Sequence, residues 1–205
     1  MKNKAARVFI YFLWKQKQFS HKEIIKIKYA LDVISNEMTK LIPLLIFFIY
    51  VKDVDLFIFS VAVLLPVRIF SGGLHFKSSI KCFLFTCVFF IGIYYFSVFF
   101  TIEKNAPSLA LALLILASII ALSPAPNDCR PVNSDEKTQR FRIIVFSITL
   151  IWLIILFLFV DNSTYFTVGF ITLSLQSIQL IIAYIVRNIN IKKRRVRNEI
   201  INQSR

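Results

Sequence analysis

Acidic side chains are scarce in this chain. Its 205 residues include 11 Asp and Glu against 25 Lys and Arg, so the formal net charge is +14. Such an excess is found in nucleic-acid-binding proteins, and also in membrane proteins, whose cytoplasmic ends collect Lys and Arg. Here the positive charges stand at the ends of apolar runs, which favours membrane orientation and predicts no nucleic-acid partner. The basic tail after Val186 is interpreted as an anchor for lipid headgroups.

Glycine is also scarce, with 4 residues, whereas 57% of the chain is hydrophobic and 22 residues are Phe. A soluble domain needs fewer apolar side chains, because it keeps a polar surface. Several apolar runs approach or exceed the ~17 residues that cross a bilayer. We therefore expect an all-α polytopic membrane protein with about six transmembrane helices, preceded by an amphipathic helix.

Four long apolar segments predict transmembrane helices: Phe83–Ile102, Ser108–Ser123, Ile143–Val160 and Tyr165–Val186. The earlier stretch Leu41–Val67 holds two shorter apolar runs, of 11 and 12 residues, separated by Lys52-Asp53-Val54-Asp55. Before it, apolar side chains recur by threes and fours over Ile24–Leu41, which predicts an amphipathic helix. This helix either lies in the cytoplasmic interface or packs on loops of the protein.

Charge asymmetry favours two spans rather than one in the stretch Leu41–Val67. With six spans, 23 of the 25 Lys and Arg lie on one face, and Lys52 and Lys104 lie on the other. A single broken span gives no useful bias, so six spans with both termini cytoplasmic are predicted, with the first two either tilted or re-entrant. The chain is then one integral membrane domain, with a basic region (1–40), a bundle (41–186) and a basic tail (187–205). The connections after Arg68 and over Pro124–Arg142 share the cytoplasmic face and can meet.

Histidine and cysteine are rare, with 2 and 3 residues, yet one of each stands in the segment from Arg68 to Cys82, together with two of the four glycines. Cysteine attacks as a thiolate, which needs a base or positive charge nearby. His75 is the natural base for Cys82, and Arg68, Lys77 and Lys81 add positive potential. Two alternatives remain open: the cysteine is inert packing, and the glycine pair is an ordinary tight turn.

Helix geometry sets a condition on this pair. Residues seven apart on one helix are separated by about 10.5 Å of rise, whereas a direct hydrogen bond needs about 3 Å. The helix that carries Cys82 must therefore begin after His75. Cys87 points about 140° away from Cys82 on a helix, so it is interpreted as packing and completes no zinc site; no metal is expected. Cys129 has no histidine near it in sequence.

The same segment resembles the accessory gene regulator B (AgrB) family of membrane endopeptidases in peptide quorum sensing. The matching residues are Arg68, Ser71-Gly72-Gly73, His75, Lys77-Ser78-Ser79 and Cys82, with the family's seven-residue spacing from His to Cys. The loop Ala125-Pro126-Asn127-Asp128-Cys129-Arg130-Pro131 is similar to the family's proline-containing loop.

The resemblance implies a cysteine endopeptidase without a cofactor. Cys82 would attack an AgrD-like propeptide, with His75 as the base, release its acidic C-terminal tail and leave an acyl-thioester that cyclises to a thiolactone or lactone. Supporting or oxyanion candidates are Arg68, Ser71, Gly72 and Gly73. Candidates for contact with the substrate are Lys77, Ser78, Lys81, Arg130 and Pro131. Homodimerisation is expected by analogy with the family.

The alternative from another functional class is a non-enzymatic membrane protein, such as a peptide exporter or a sensor subunit. The sequence contains no nucleotide-binding loop, and its predicted spans lack charged residues away from their ends. An energised exporter would therefore need a partner.

Overall fold

A computed structural model describes residues 20–74, 78–125 and 135–203, and these residues form helices and no strand. The helices are α1 (His21–Val51), α2 (Val54–Ser71), α3 (Ser79–Phe99), α4 (Ala106–Leu122), α5 (Asp135–Leu158) and α6 (Ser163–Gln203). The all-α class is confirmed. The chain divides into two compact units between Val54 and Asp55. Helix α1 belongs to the first unit, and α2, apart from its first residue, belongs to the second unit with α3 to α6.

Helix α1 is longer than the sequence pattern predicted. It begins at a capping box, in which the Ser20 hydroxyl accepts from the Glu23 N–H and the Glu23 carboxylate accepts from the Ser20 N–H. It then continues without a break through the predicted amphipathic segment and the first apolar run, and it ends at Lys52, which has a left-handed φ of 66°. The predicted end of the amphipathic helix at Leu41 is therefore wrong: the helix continues through Pro43 and through the first apolar run.

The four helices that are long and apolar enough to cross a membrane lie within the described ranges at Val54–Ser71, Ile80–Phe99, Thr138–Leu158 and Ser163–Ile189. Three of them overlap predicted long segments. The first of the four, Val54–Ser71, contains the second short apolar run of the stretch Leu41–Val67. The helices of this stretch are interrupted after Val51, as the charges at Lys52 and Asp53 predicted. Helix α4, with 17 residues, and the apolar part of α1, Met38–Val51, are shorter. This is a membrane protein, and the count of six spans stays a prediction.

Helix α6 lies at the centre of the second unit. Half of its apolar stretch is buried, against 22 to 33% in the three other long helices, because it packs on α3, α4 and α5. The core around it is apolar: Val63, Val67, Ala112, Ile115, Ile119, Val145, Leu153, Leu156, Phe166, Phe170, Leu173 and Leu180. Many Phe, Leu and Ile side chains on the other helices are exposed. Such a surface suits hydrocarbon rather than water.

The contact between α5 and α6 depends on Gly169. A Cβ atom built there would lie 2.5 Å from Cδ2 of Leu156 and 3.2 Å from Cε1 of Phe59. Leu156 is fully buried and has little room to move. We expect Gly169→Ala to lower the free energy of unfolding by about 1–3 kcal/mol, the usual effect of overpacking.

The matched control is Gly92 in α3, around which no atom lies within 4 Å of the built Cβ. There alanine is expected to be neutral or to stabilise the helix by up to about 1 kcal/mol. Thermal unfolding of the two variants in one detergent measures the difference. Equal stability of both variants would show that the α5–α6 contact can adapt.

Candidate active site at the turn after α2

The segment between α2 and α3 begins with a turn formed by the two adjacent glycines. Ser71 ends α2 and is fully buried. Gly72 follows with a φ of 77°, a left-handed conformation that glycine adopts without a steric penalty, and its N–H donates to the Arg68 carbonyl at 3.0 Å. The glycine therefore ends α2 and redirects the chain.

The connection after α4 meets this turn. The N–H of Ala125 donates to the Ser71 carbonyl at 2.8 Å, and a Cβ atom on Gly72 would lie 3.1 Å from the Ala125 carbonyl oxygen. The contact confirms the prediction that the two polar connections come together, at least at Ala125. Arg142 of α5 also donates to the carbonyl of Ser123, which joins the two ends of the second connection at 2.9 Å.

Two glutamines of α6 hold the glycine turn from the other side. Nε2 of Gln176 donates to the Ser71 hydroxyl and to the Gly72 carbonyl, at 2.9 Å in each case. Oε1 of Gln179 accepts from Nη1 of Arg68 at 3.4 Å. A Cβ atom on Gly73 would lie 3.2 Å from the same Gln179 oxygen. Residues three apart share one face of a helix, so α6 presents both amides to the turn.

These glutamines were not among the predicted site residues, because they are more than 100 residues from the turn that they contact. The predicted site residues belong to two short segments, Arg68–Cys82 and the loop at Arg130 and Pro131, and a neutral amide within a later span belongs to neither. The available signal was a pair of amides three residues apart within the apolar segment Tyr165–Val186. Polar groups inside a membrane segment are rare, face the protein interior and often mark functional sites.

Cys82 lies in the first turn of α3. The helix begins at Ser79 after an extended Ser78, and the Cys82 N–H donates to the Ser78 carbonyl at 3.1 Å. This start lies beyond position 75, as the geometric argument requires. The Cys82 residue is 6% exposed, and its carbonyl accepts from the Thr86 hydroxyl at 2.9 Å. The neighbouring Lys81 is exposed.

Cys87 lies one turn further along α3 and is half-buried. No disulfide joins it to Cys82. Among the residues that the structure describes, no group of three His, Cys, Asp or Glu side chains is arranged to hold a metal ion.

The described candidates thus fall into two neighbouring parts of the chain. Arg68, Ser71, Gly72 and Gly73 meet at the turn held by α6, and Ser78, Lys81 and Cys82 belong to the start of α3. The remaining predicted residues lie outside the described residues: His75, Lys77, Cys129, Arg130 and Pro131.

Comparison with known proteins connects this site to one family. The family model described as accessory gene regulator B matches residues 6–180, a range that includes the glycine turn, Cys82, Gln176 and Gln179. A protein of Clostridium beijerinckii named as AgrB-like is 29% identical over 154 residues, which cover 75% of this chain and 76% of that protein. No solved structure matches the chain.

Proposed function

We propose that this chain, which belongs to the accessory gene regulator B family, is a membrane cysteine endopeptidase that processes an AgrD-like propeptide. Membership of the family indicates a role in accessory gene regulation and is consistent with a protease. The observation that carries the finer proposal is the location of Cys82 in the first turn of α3, shortly after the glycine turn, within the range matched by the family model.

In the proposed cleavage step, His75 takes the proton of the Cys82 thiol, and the sulfur attacks the scissile carbonyl. A C–S bond forms and the peptide C–N bond breaks, while His75 returns the proton to the departing amine. The acidic C-terminal tail leaves, and the rest of the propeptide stays on Cys82 as a thioester. The Gly73 N–H, together with Arg68 and Ser71, is the proposed support for the oxyanion, because the Gly72 N–H already donates to the Arg68 carbonyl.

In the second step, an internal Cys or Ser of the propeptide attacks the thioester carbonyl. The bond to Cys82 breaks and its sulfur regains a proton, so that the product is a thiolactone or a lactone. Exchange of one thioester for another roughly conserves bond energy, so the step needs protection from water more than it needs driving force. The catalyst is unchanged after both steps, and no cofactor takes part.

Two properties of the described site support this chemistry. The beginning of a helix carries partial positive charge, which favours negative charge such as that of a reacting sulfur, and Cys82 lies there. Cys82 is also buried, and exclusion of water favours cyclisation over hydrolysis of the thioester.

The proposal includes a topology and a set of contacts. Both termini and the site face the cytoplasm, the basic segments bind lipid headgroups, and two copies of the chain form a homodimer. The acidic tail of the propeptide is attracted to the basic connections. Its proposed contacts there are Lys77, Ser78, Lys81, Arg130 and Pro131.

The covalent intermediate provides the direct test. A propeptide whose internal Cys or Ser is replaced by Ala can be cleaved but cannot cyclise, so we expect a thioester adduct to accumulate on the protein. Intact-mass spectrometry should show one adduct per chain, removable by hydroxylamine, and peptide mapping should locate it on Cys82. Release of the C-terminal fragment with no adduct at any time point would contradict the thioester. Absence of both cleavage and adduct would favour an exporter or a sensor subunit.

A further inference from the structure

One polar atom of each of the two buried glutamines of α6 has no hydrogen-bond partner among the described residues. These atoms are Oε1 of Gln176 and Nε2 of Gln179. Gln176 is fully buried and Gln179 is 2% exposed. The opposite end of each amide is engaged, by Ser71 and Gly72 in one case and by Arg68 in the other.

The engaged ends determine which atoms remain. A carbonyl oxygen accepts and never donates, so the Gly72 carbonyl must face the NH₂ group of Gln176. A guanidinium donates and never accepts, so Arg68 must face the oxygen of Gln179. Rotating either amide by 180° would break an existing contact. The site therefore offers one unused acceptor, on Gln176, and one unused donor, on Gln179.

Buried polar atoms without a partner are uncommon and costly in proteins, more so inside a membrane. An occupant that satisfies both atoms must supply one donor and one acceptor about one helical turn apart. A peptide main chain carries this combination in its N–H and C=O groups. A carboxylate side chain does not, because both of its oxygens accept hydrogen bonds and neither can donate to Gln176.

We propose that Gln176 and Gln179 bind the main chain of the substrate peptide beside the glycine turn. The acceptor of Gln176 takes a peptide N–H, and the donor of Gln179 contacts a peptide C=O. A Cβ atom on Gly73 would lie 3.2 Å from Oε1 of Gln179, so the glycine lets this amide lie close against the turn without crowding. Recognition at this point is independent of the side-chain sequence of the substrate. This inference rests on the proposed function, because it needs a peptide at the site.

The test measures peptide affinity in a protein that binds without cleaving. The probe is a fluorescent synthetic copy of the short propeptide that we expect a neighbouring reading frame to encode, and the protein is full-length Cys82→Ala in detergent. A series of probes carries one ester in place of one amide, which removes a single N–H. At one position the ester should weaken binding about tenfold, the usual effect of one buried hydrogen bond.

Coupling between ester and side chain separates binding from a structural role. In Cys82→Ala with Gln176→Met, the same ester should cost nothing further, because the acceptor is already absent. The matched control is Gln139→Met, at an exposed position of α5, where the full ester penalty should persist. If every ester costs as much with Gln176→Met as with the control, Gln176 only holds the turn, and the proposal for it is overturned.

Gln179→Glu tests the donor independently and also serves if Gln176→Met does not fold. The substitution keeps an oxygen for Arg68 and replaces the unused donor with an acceptor. Peptide affinity should fall about tenfold, whereas Gln139→Glu, with the same change of charge, should bind normally. Equal affinity of the two variants would overturn the role of Gln179. Propeptide cleavage by the chain with Cys82 intact is measured in parallel. A failure of main-chain binding by the glutamines is thereby distinguished from a failure of the proposed peptidase activity.

Discussion

Replacing Cys82 with alanine is expected to abolish release of the C-terminal fragment from a co-expressed propeptide, lowering the rate about a thousandfold or more. Loss of a nucleophile removes the covalent route, and only catalysis by binding and by oxyanion donors remains. The substitution removes one sulfur atom from a buried side chain in the first turn of α3 and introduces a residue that favours helix. Fragment release is followed by mass spectrometry, and protein levels are compared in isolated membranes.

Cys87→Ala provides the matched control on the same helix. It also removes one thiol from α3, five residues from the proposed nucleophile, and it should cleave at the rate of the unchanged chain. Undiminished cleavage by Cys82→Ala would end the proposed mechanism. Equal loss in both variants would indicate that the substitutions damage α3 rather than the chemistry.

Replacing His75 with alanine is expected to have the second largest effect, a loss of cleavage of about a hundredfold or more. A positioned general base contributes roughly 10²–10⁴-fold, and the proposed base also protonates the leaving amine. No acidic residue lies near His75 in sequence to share these roles, since the nearest are Asp55 and Glu103. Fragment release under the same co-expression conditions measures the loss.

His21, the only other histidine of the chain, is the control for this variant. It opens α1, and His21→Ala should process the propeptide normally. His75→Ala should also fail to form the Cys82 adduct, because the base acts before the thioester exists. Normal adduct formation by His75→Ala would assign the activation of Cys82 to another group.

The helices were predictable to a large degree because hydrophobic periodicity and apolar length are local properties. The break at Lys52 and Asp53 follows from the charges that interrupt the apolar stretch, whereas the helix that carries Cys82 begins at Ser79, four residues before the predicted start at Phe83. The predicted end of the amphipathic helix at Leu41 was wrong, because it depended on local composition alone. A change of composition near Leu41 does not require a turn, and α1 continues through it to Val51.

Part of the candidate site could also be recognised from residues that are close together in the sequence. The pair His75 and Cys82 is separated by seven residues, and the glycines that precede it are adjacent, so both can be recognised in the sequence together with the resemblance to the family. The contacts that hold the turn were not predictable in this way. Gln176 and Gln179 come from the last helix, and no local pattern states which side chain each amide will meet.

The sequence by itself determined that the protein is helical and that it belongs in a membrane, because charge and hydropathy depend on neighbouring residues. For Cys82 it set a condition, that the helix carrying this residue begins after His75 if the two act together. Only the tertiary structure decided that α6 is the central helix of the second unit, that Ala125 closes on Ser71 and that two buried glutamines support the glycine turn. These contacts join residues far apart in the chain. Their geometry is set by how helices pack, which single-sequence periodicity does not encode.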